Sequence, residues 1–403
     1  MNKFLEERAH FPVLQKEIYF NGASFGIVPD YVLQITEENN RIRCYTQDIG
    51  VAGMPQYEML EKVRPVYAEL INAQPEDIAY GLSSSQMYVA LTSNLVFQPG
   101  DNVVIPDNAF ITTPFAFDAR EADGLEVRMA KTVNGYISAQ ELCSYADERT
   151  RVIAVNHVES GTGYRIDMEY IGSFCREHDI IFAVDAVQSA GIMEIDVQKM
   201  QIDFLVGTDY KWLCHFRGVG FAYVSKRLRE DSSKLACRGA GWGSDSDRFN
   251  TAKRHWDPHP DARRYEYGGF HNVGIYCVAE VIRHYLTLGK QDVQTYALGL
   301  ANYCYEKAAA SPVIDIAYPF PAENRSAIVV LKIDGKYDLS TERLRQYGVF
   351  AAIDGGSHPD HGAPTPYYTS RLALHYYITK EDIDKLFAAI ERCCGLKGEY
   401  YAH

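Results

Sequence analysis

Ile180-Ile-Phe-Ala-Val-Asp185-Ala-Val-Gln188 is an apolar run that ends on a carboxylate and, three residues later, an amide. Apolar residues at neighbouring rather than alternating positions mark strands covered on both faces. Similar runs recur at 102–106, 125–130, 151–156, 203–207 and 219–224, separated by amphipathic stretches. This βα rhythm predicts an α/β fold in which a mostly parallel sheet carries helices on both faces. A buried carboxylate needs a cation or donors to meet it, and the carboxyl ends of parallel strands are where such folds bind ligands. Taken alone, Asp185 would equally serve to cap the following helix.

The next strand-like run leads into Gly207-Thr208-Asp209-Tyr210-Lys211-Trp212, and Arg217-Gly-Val-Gly220-Phe follows. A single lysine after a strand is ordinarily solvated. Lys211, however, lies 26 residues after Asp185, about one strand-helix-strand unit, which brings both side chains to the same edge of the sheet. That pair suits pyridoxal phosphate, whose aldehyde takes a lysine amine as a Schiff base and whose pyridine nitrogen is held protonated by a carboxylate. A phosphate cradle is also needed. Ala79-Tyr-Gly-Leu-Ser83-Ser84-Ser85-Gln86-Met places hydroxyls at the start of an apolar helix, where free N–H groups and the helix dipole attract anions.

Together these residues resemble the class V aminotransferase family of fold type I pyridoxal-phosphate enzymes, which includes cysteine desulfurases, kynureninases and isopenicillin N epimerases. The resemblance spans nearly the whole chain and is most specific from Val184 to Gly191 and from Asp203 to Phe221. It implies Lys211 as the Schiff-base and catalytic lysine, Asp185 as the pyridinium partner and Gln188 as donor to the cofactor's phenolic oxygen. Ser84 and Ser85 match the phosphate-binding hydroxyl positions, Gln86 adds a backbone donor, and Thr208 and Tyr210 flank the lysine where phosphate contacts occur. Phe110 falls where an aromatic ring stacks over the cofactor, its alternative being an ordinary core residue. Arg371, in Ser370-Arg-Leu-Ala-Leu-His, matches the arginine that clamps the substrate carboxylate, a task suited to a bidentate fork.

Within the family, three features narrow the reaction. The stretch Asp354-Gly-Gly-Ser-His-Pro-Asp-His361-Gly-Ala-Pro carries no cysteine, where desulfurases place their nucleophile. Gln188 stands where kynureninases usually show His. Ser160-Gly-Thr-Gly163, with Asn21-Gly-Ala-Ser-Phe-Gly26, is closer to the isopenicillin N epimerase and C–S lyase branch. Asn21 and Ser160 therefore join Arg371 as substrate-binding candidates. Gly269 stands where a threonine from a partner subunit often reaches the phosphate, leaving His271, Asn272 or Trp242 as substitutes. The expected activity is β-elimination from a cysteine-like amino acid or S-conjugate. Epimerisation and transamination are the alternatives, and a catalytically silent scaffold is the reading from another class.

The chain has 403 residues, 47% apolar and 23% charged, ordinary proportions for a folded globular protein. With 40 basic and 53 acidic residues its net charge is −13, and it lacks a basic cluster, so nucleic acid is not an expected partner. A charged start and the lack of an apolar run of about 18 residues predict a cytoplasmic protein without membrane contact. Nine scattered cysteines without a Cys-x-x-Cys pair fit reduced thiols. No metal site is expected: His255 and His259, and His358 and His361, lie in loops without companion cysteines. Cys214, close behind Lys211, reads as buried filler.

Two domains are expected, a large cofactor domain over 15–270 and a smaller α+β unit over 271–403 that includes 1–14. The two are joined by a helix over 272–288, strands follow near 326–333 and 370–377, and a helix starts at Thr379-x-x-Asp. The resemblance implies a homodimer with its sites at the subunit interface.

Overall fold

The computed structural model describes residues 3–46, 55–250, 252–355 and 366–396. A short strand, β1 (Ile18–Tyr19), precedes the seven strands of the central sheet. These are β2 (Ile78–Gly81), β3 (Asn102–Pro106), β4 (Glu126–Ala130), β5 (Thr150–Asn156), β6 (Ile181–Asp185), β7 (Phe204–Thr208) and β8 (Gly220–Val224). They lie in the order β2-β8-β7-β6-β5-β3-β4. The five strands from β7 to β4 are parallel, and β8 is antiparallel to both of its neighbours. In β3, β6, β7 and β8 every residue is buried, whereas the edge strand β4 is largely open.

The two-residue period of a strand divides each buried run between the layers. Ile153, Val155, Phe182, Val184 and Leu205 enter one apolar cluster, while Val152, Ala154, Ile181, Ala183, Phe204 and Val206 enter the other. This explains why the runs are apolar throughout. The sheet therefore has the predicted class, with two differences in connection. The segment between β6 and β7 forms turns instead of a helix, anchored by buried Ile192, Met193, Ile195 and Val197. The return through β8 is also antiparallel, because only a short loop separates it from β7.

In the C-terminal part, β9 (Ile314–Ile316), β10 (Ile328–Asp334), β12 (Asp354–Gly355) and β13 (Tyr367–Ala373) form a sheet in the order β12-β13-β10-β9. The predicted strand at 370–377 is thus shifted towards the N-terminus. Its ladder with β10 ends at Ala373, where the chain turns and buries His375, Tyr376 and Tyr377. The helices Asn272–Leu288 and Lys380–Cys393 form as predicted, the second with Thr379 and Asp382 capping each other. The first residues reach the same region. Arg8 pairs with Asp382 at 2.7 Å, and β1 pairs with β11 (Val349–Phe350), so the association extends past residue 14.

One buried ion pair sets the approach to β2. Arg64, on the helix Gln56–Ile71, donates to Glu266 Oε1 at 2.8 Å and to the Ile78 carbonyl at 2.7 Å, and its guanidinium lies 4.6 Å from the Tyr80 ring centroid. Glu266 Oε1 also accepts the Tyr80 amide at 3.0 Å. Replacing Arg64 alone strands a buried carboxylate, so Arg64→Met should cost about 3–5 kcal/mol, with Arg64→Met/Glu266→Met recovering much of the loss. Denaturant unfolding followed by intrinsic fluorescence checks both values.

Candidate active site

Asp185 is the last residue of β6, and Lys211 comes three residues after the end of its parallel neighbour β7. The predicted meeting of the two side chains at one sheet edge is therefore what the strand order produces. Both are buried, with Asp185 5% and Lys211 8% exposed. Asp185 Oδ1 accepts the Val187 amide at 2.8 Å, and the Asn156 side chain, from the end of β5, hydrogen-bonds the same carboxylate. Among the described residues Lys211 Nζ makes no hydrogen bond and no ion pair within 4.0 Å.

Burial pushes the Asp185 carboxyl up, against the Val187 amide, Lys211 and Asn156. Burial also brings the Lys211 amine down from 10.5 to about 8, with Arg371 and Arg217 adding to the effect and Asp185 opposing it. Both shifts favour the neutral forms because desolvation outweighs an attraction that acts without direct contact. A lysine at about 8 has roughly a quarter of its molecules neutral at pH 7.5, against roughly one in a thousand at its ordinary value.

The ring of Phe110, 43% exposed, faces this amine with Nζ 5.6 Å from its centroid. This places Phe110 at the mouth of the site and not in the core. Its amide donates to Asn156 Oδ1 at 3.1 Å, which ties the mouth to the strand ends. Gln188 donates from Nε2 to the Ala23 carbonyl at 3.0 Å and accepts the Trp212 indole N–H at 2.9 Å. Trp212 thereby fixes which way the amide points. The turn 21–26 is brought against the lysine loop: Gly26 donates to the Tyr210 carbonyl at 2.7 Å, and a Cβ on Gly26 would lie 2.1 Å from the Lys211 carbonyl oxygen.

The phosphate-cradle residues open the helix Ser84–Thr92. Ser83 caps it, its Oγ accepting the Gln86 amide at 3.1 Å, so the backbone donor expected from Gln86 is already engaged. Gln86 Oε1 accepts the Leu82 amide at 2.7 Å. The amides of Ser84 and Ser85 belong to the first turn, which has no intrahelical acceptors to offer. Ser85 Oγ lies 3.1 Å from Thr112 Oγ1, adding a hydroxyl from outside the helix. The start of β8 passes close behind, where a Cβ on Gly220 would lie 2.2 Å from the Ser83 carbonyl carbon. Thr208 is buried beside Asp209, its Oγ1 3.2 Å from Asp209 Oδ1.

Arg371, in β13, donates to the Ser160 carbonyl at 2.7 Å and to Ser24 Oγ. Ser160 thus meets Arg371 through its backbone, and Asn21 contributes the carbonyl that accepts the Ser24 and Phe25 amides at 3.0 and 3.1 Å. Asn156, Thr112 and Trp212 are members that sequence patterns did not single out, and within the 21–26 motif only Asn21 was named, whereas Ala23 and Ser24 make the contacts to Gln188 and Arg371. Only Asn156, at the end of a strand beside β6, carried a positional signal.

Cys214 is fully buried with a φ of +47°, and its Sγ lies 3.4 Å from His375 Nε2. Burial holds its thiol well above the ordinary value, so it is a poor nucleophile. Gly269 has a φ of +70° with nothing within 4 Å of an added Cβ, and Trp242 packs on Tyr57 at 5.5 Å between ring centroids. His271 lies 6.2 Å from the His215 ring, and Asn272 begins the helix Asn272–Leu288. His259 is hydrogen-bonded to Arg248 at 3.0 Å; His358 and His361 lie outside the described residues. Among the described residues, Glu7, His10 and His284 are the group whose ligand atoms gather within 4.8 Å, and His284 is bonded to Glu7 and His10 to Asp30.

These residues fit pyridoxal phosphate: a partnerless buried amine, a desolvated carboxylate at the neighbouring strand end and a helix start lined by hydroxyls. The profile of the aminotransferase class-V family matches residues 18–386. A cysteine desulfurase of Pectobacterium carotovorum is 28% identical over 416 residues, with 97% of this chain and 98% of the relative covered. The apo structure of a cysteine desulfurase from Thermococcus onnurineus superposes with a TM-score of 0.82 at 19% identity, covering 97% of this chain and 98% of that one. A cystine C–S lyase in complex with its product cysteine persulfide gives 0.80 at 20% identity, over 95% and 99%. No helix among the described residues is long and apolar enough to cross a membrane. With the profile spanning most of the chain and the fold matching, this protein belongs to the class V aminotransferase family and is a pyridoxal-phosphate-dependent enzyme.

Proposed function

We propose that the enzyme is a β-eliminating C–S lyase acting on a cysteine-like amino acid or an S-conjugate of one. The observation that carries this reading is the buried Lys211 amine, poised near neutrality, with Arg371 fixed across the same opening by the 21–26 turn. Bound pyridoxal phosphate supplies an aldehyde that takes up amines and a ring that draws electrons from Cα.

The chain's own residues do the rest. Lys211 would hold the aldehyde carbon of the cofactor, and its amine, once free, would take the Cα proton of the substrate. Asp185 would stand against the ring nitrogen and hold a proton there, answering the charge that burial makes costly for its carboxylate. Ser84, Ser85, Thr208 and Tyr210 hold the phosphate end, and Gln188 offers its remaining Nε2–H to the phenolic oxygen. Arg371 would grip the α-carboxylate, Asn21 and Ser160 shape the turn and loop that position it, and Phe110, whose ring centroid lies 5.6 Å from Lys211 Nζ, would stack on the cofactor. The Cα–H electron pair becomes the Cα–Cβ double bond while the C–S pair leaves with sulfur. With one water consumed, the products are pyruvate, ammonia and a thiol.

Support for elimination over persulfide formation is the lack of a cysteine in the sequence 354–364, and the relatives named above include both a desulfurase and a C–S lyase. We place the enzyme in the cytoplasm as a homodimer, with Gly269, His271, Asn272 and Trp242 as the residues to inspect at a shared site.

The purified protein should be yellow, lose its visible band on borohydride treatment and release pyruvate and thiol from S-alkylcysteines. Deuterium wash-in at Cα without thiol release would instead mark an epimerase. Lys211→Ala should be colourless after dialysis and at least about 10³-fold slower. Arg371→Ala should raise KM about 10- to 100-fold with a smaller change in kcat, because it removes a charge-assisted fork.

Cofactor capture by the dialysed protein needs a neutral Lys211. Because its pKa is lowered to about 8, the capture rate should rise with pH and level off above that value. Asp185 raises the lysine pKa, so Asp185→Asn should move the midpoint to lower pH. Stopped-flow absorbance across pH 6–10 checks both.

A further inference from the structure

Arg217, on the lysine loop, has no role in the scheme above. Its guanidinium carbon lies 4.6 Å from the Phe25 ring centroid and 4.8 Å from that of Tyr210. Lys211 Nζ is 5.9 Å from the same Tyr210 centroid, so the two cations are separated by no more than those two distances combined. Two aromatic rings hold the guanidinium carbon, yet its N–H groups meet no carboxylate or carbonyl among the described residues, and the residue is exposed. Ring contacts use the electron-poor cation as a whole and leave the N–H fork for an oxyanion.

The second arginine is close by in the fold. Arg371 bonds Ser24 and Arg217 sits over Phe25, adjacent residues of one turn. The two guanidinium groups therefore contact adjacent residues of one turn, and the charge of each is felt at the Lys211 amine. One of them, Arg371, is already committed to the Ser160 carbonyl and presents itself from β13, whereas Arg217 comes from the loop bearing the lysine.

We propose that Arg217 is a substrate-binding residue for a second anionic group, so that the preferred substrates are amino acids or S-conjugates whose side chain ends in a carboxylate. Arg371 takes the α-carboxylate and Arg217 the distal one. This inference rests on the amino-acid reading of the site but not on the elimination step. It makes no new covalent demand: the distal carboxylate leaves with the thiol, carrying its charge out of the site.

The test uses the cofactor-loaded enzyme and two pairs of ligands that differ in the distal group. Binding is read from the change in the cofactor's visible absorbance with 2-aminoadipate and with norleucine. Turnover is read from thiol release with S-(2-carboxyethyl)cysteine and with S-propylcysteine. The wild type should favour the acid-bearing member about 10- to 100-fold in Kd and in kcat/KM. Arg217→Gln should bring the ratio near one, chiefly through Kd and KM, and Arg217→Lys should keep part of it. An unchanged visible band in both variants shows that the lysine site is intact. Equal affinity for the two ligands in the wild type, or a preference that survives Arg217→Gln, overturns the proposal. If the amino acids bind with the expected preference but no S-conjugate releases thiol, the C–S lyase reading fails and the assignment of Arg217 stands.

Discussion

An amine and a carboxylate buried at adjoining strand ends without touching are the constraint around which this molecule is organised. Either charge alone, removed from water, is costly, and the two shifts towards neutrality show that their mutual attraction does not cover the penalty. Such a pair persists only if the surrounding structure holds it. That explains why the turn 21–26, remote in sequence, is fastened to the lysine loop at Gly26, to Gln188 at Ala23 and to Arg371 at Ser24. Each contact uses a backbone group or a short side chain, so the fastening is close and leaves the amine no other partner.

The same fastening couples the two parts of the chain. Phe20 accepts the Ala373 amide at 2.8 Å just before the turn, while β1 pairs with β11. The strand that carries Arg371 is therefore aligned with the segment that meets Lys211. A displacement of the C-terminal sheet would move Arg371 and the turn together, preserving the spacing between Arg371 and the amine.

The sheet was legible in the sequence because strands buried on both faces must be apolar throughout, and the end of such a strand is the one place where a charge is tolerable. Asp185 and Lys211 announce themselves in this way, as does the helix start at Ser84. The contacts of Gln188 were not legible: a Trp one residue after the lysine has no pattern that says its indole N–H will meet an amide 24 positions earlier. The turns between β6 and β7 were missed for a similar reason, since Ile192, Met193, Ile195 and Val197 cover the sheet as a helix would, yet without its period. The strand of Arg371 was displaced because Leu374, Tyr376 and Tyr377 are as apolar as the residues before them, and only the end of the ladder with β10 separates them.

A chain with a net charge of −13 that must bind anions cannot rely on its overall field. At physiological ionic strength such a field is screened over about 8 Å, so it neither draws a phosphate or carboxylate in strongly nor keeps one out once it arrives. Recognition then belongs to groups whose charge is not already answered locally. Several arginines are answered: Arg64 by Glu266, Arg128 by Asp147, Arg227 by Asp203 and Arg229 by Asp77. Lys211, Arg217 and Arg371 have no such ion pair within 4.0 Å among the described residues. Arg217 and Arg371 both lower the pKa of Lys211, so the three act on one another's charge across the opening between the central sheet and β13.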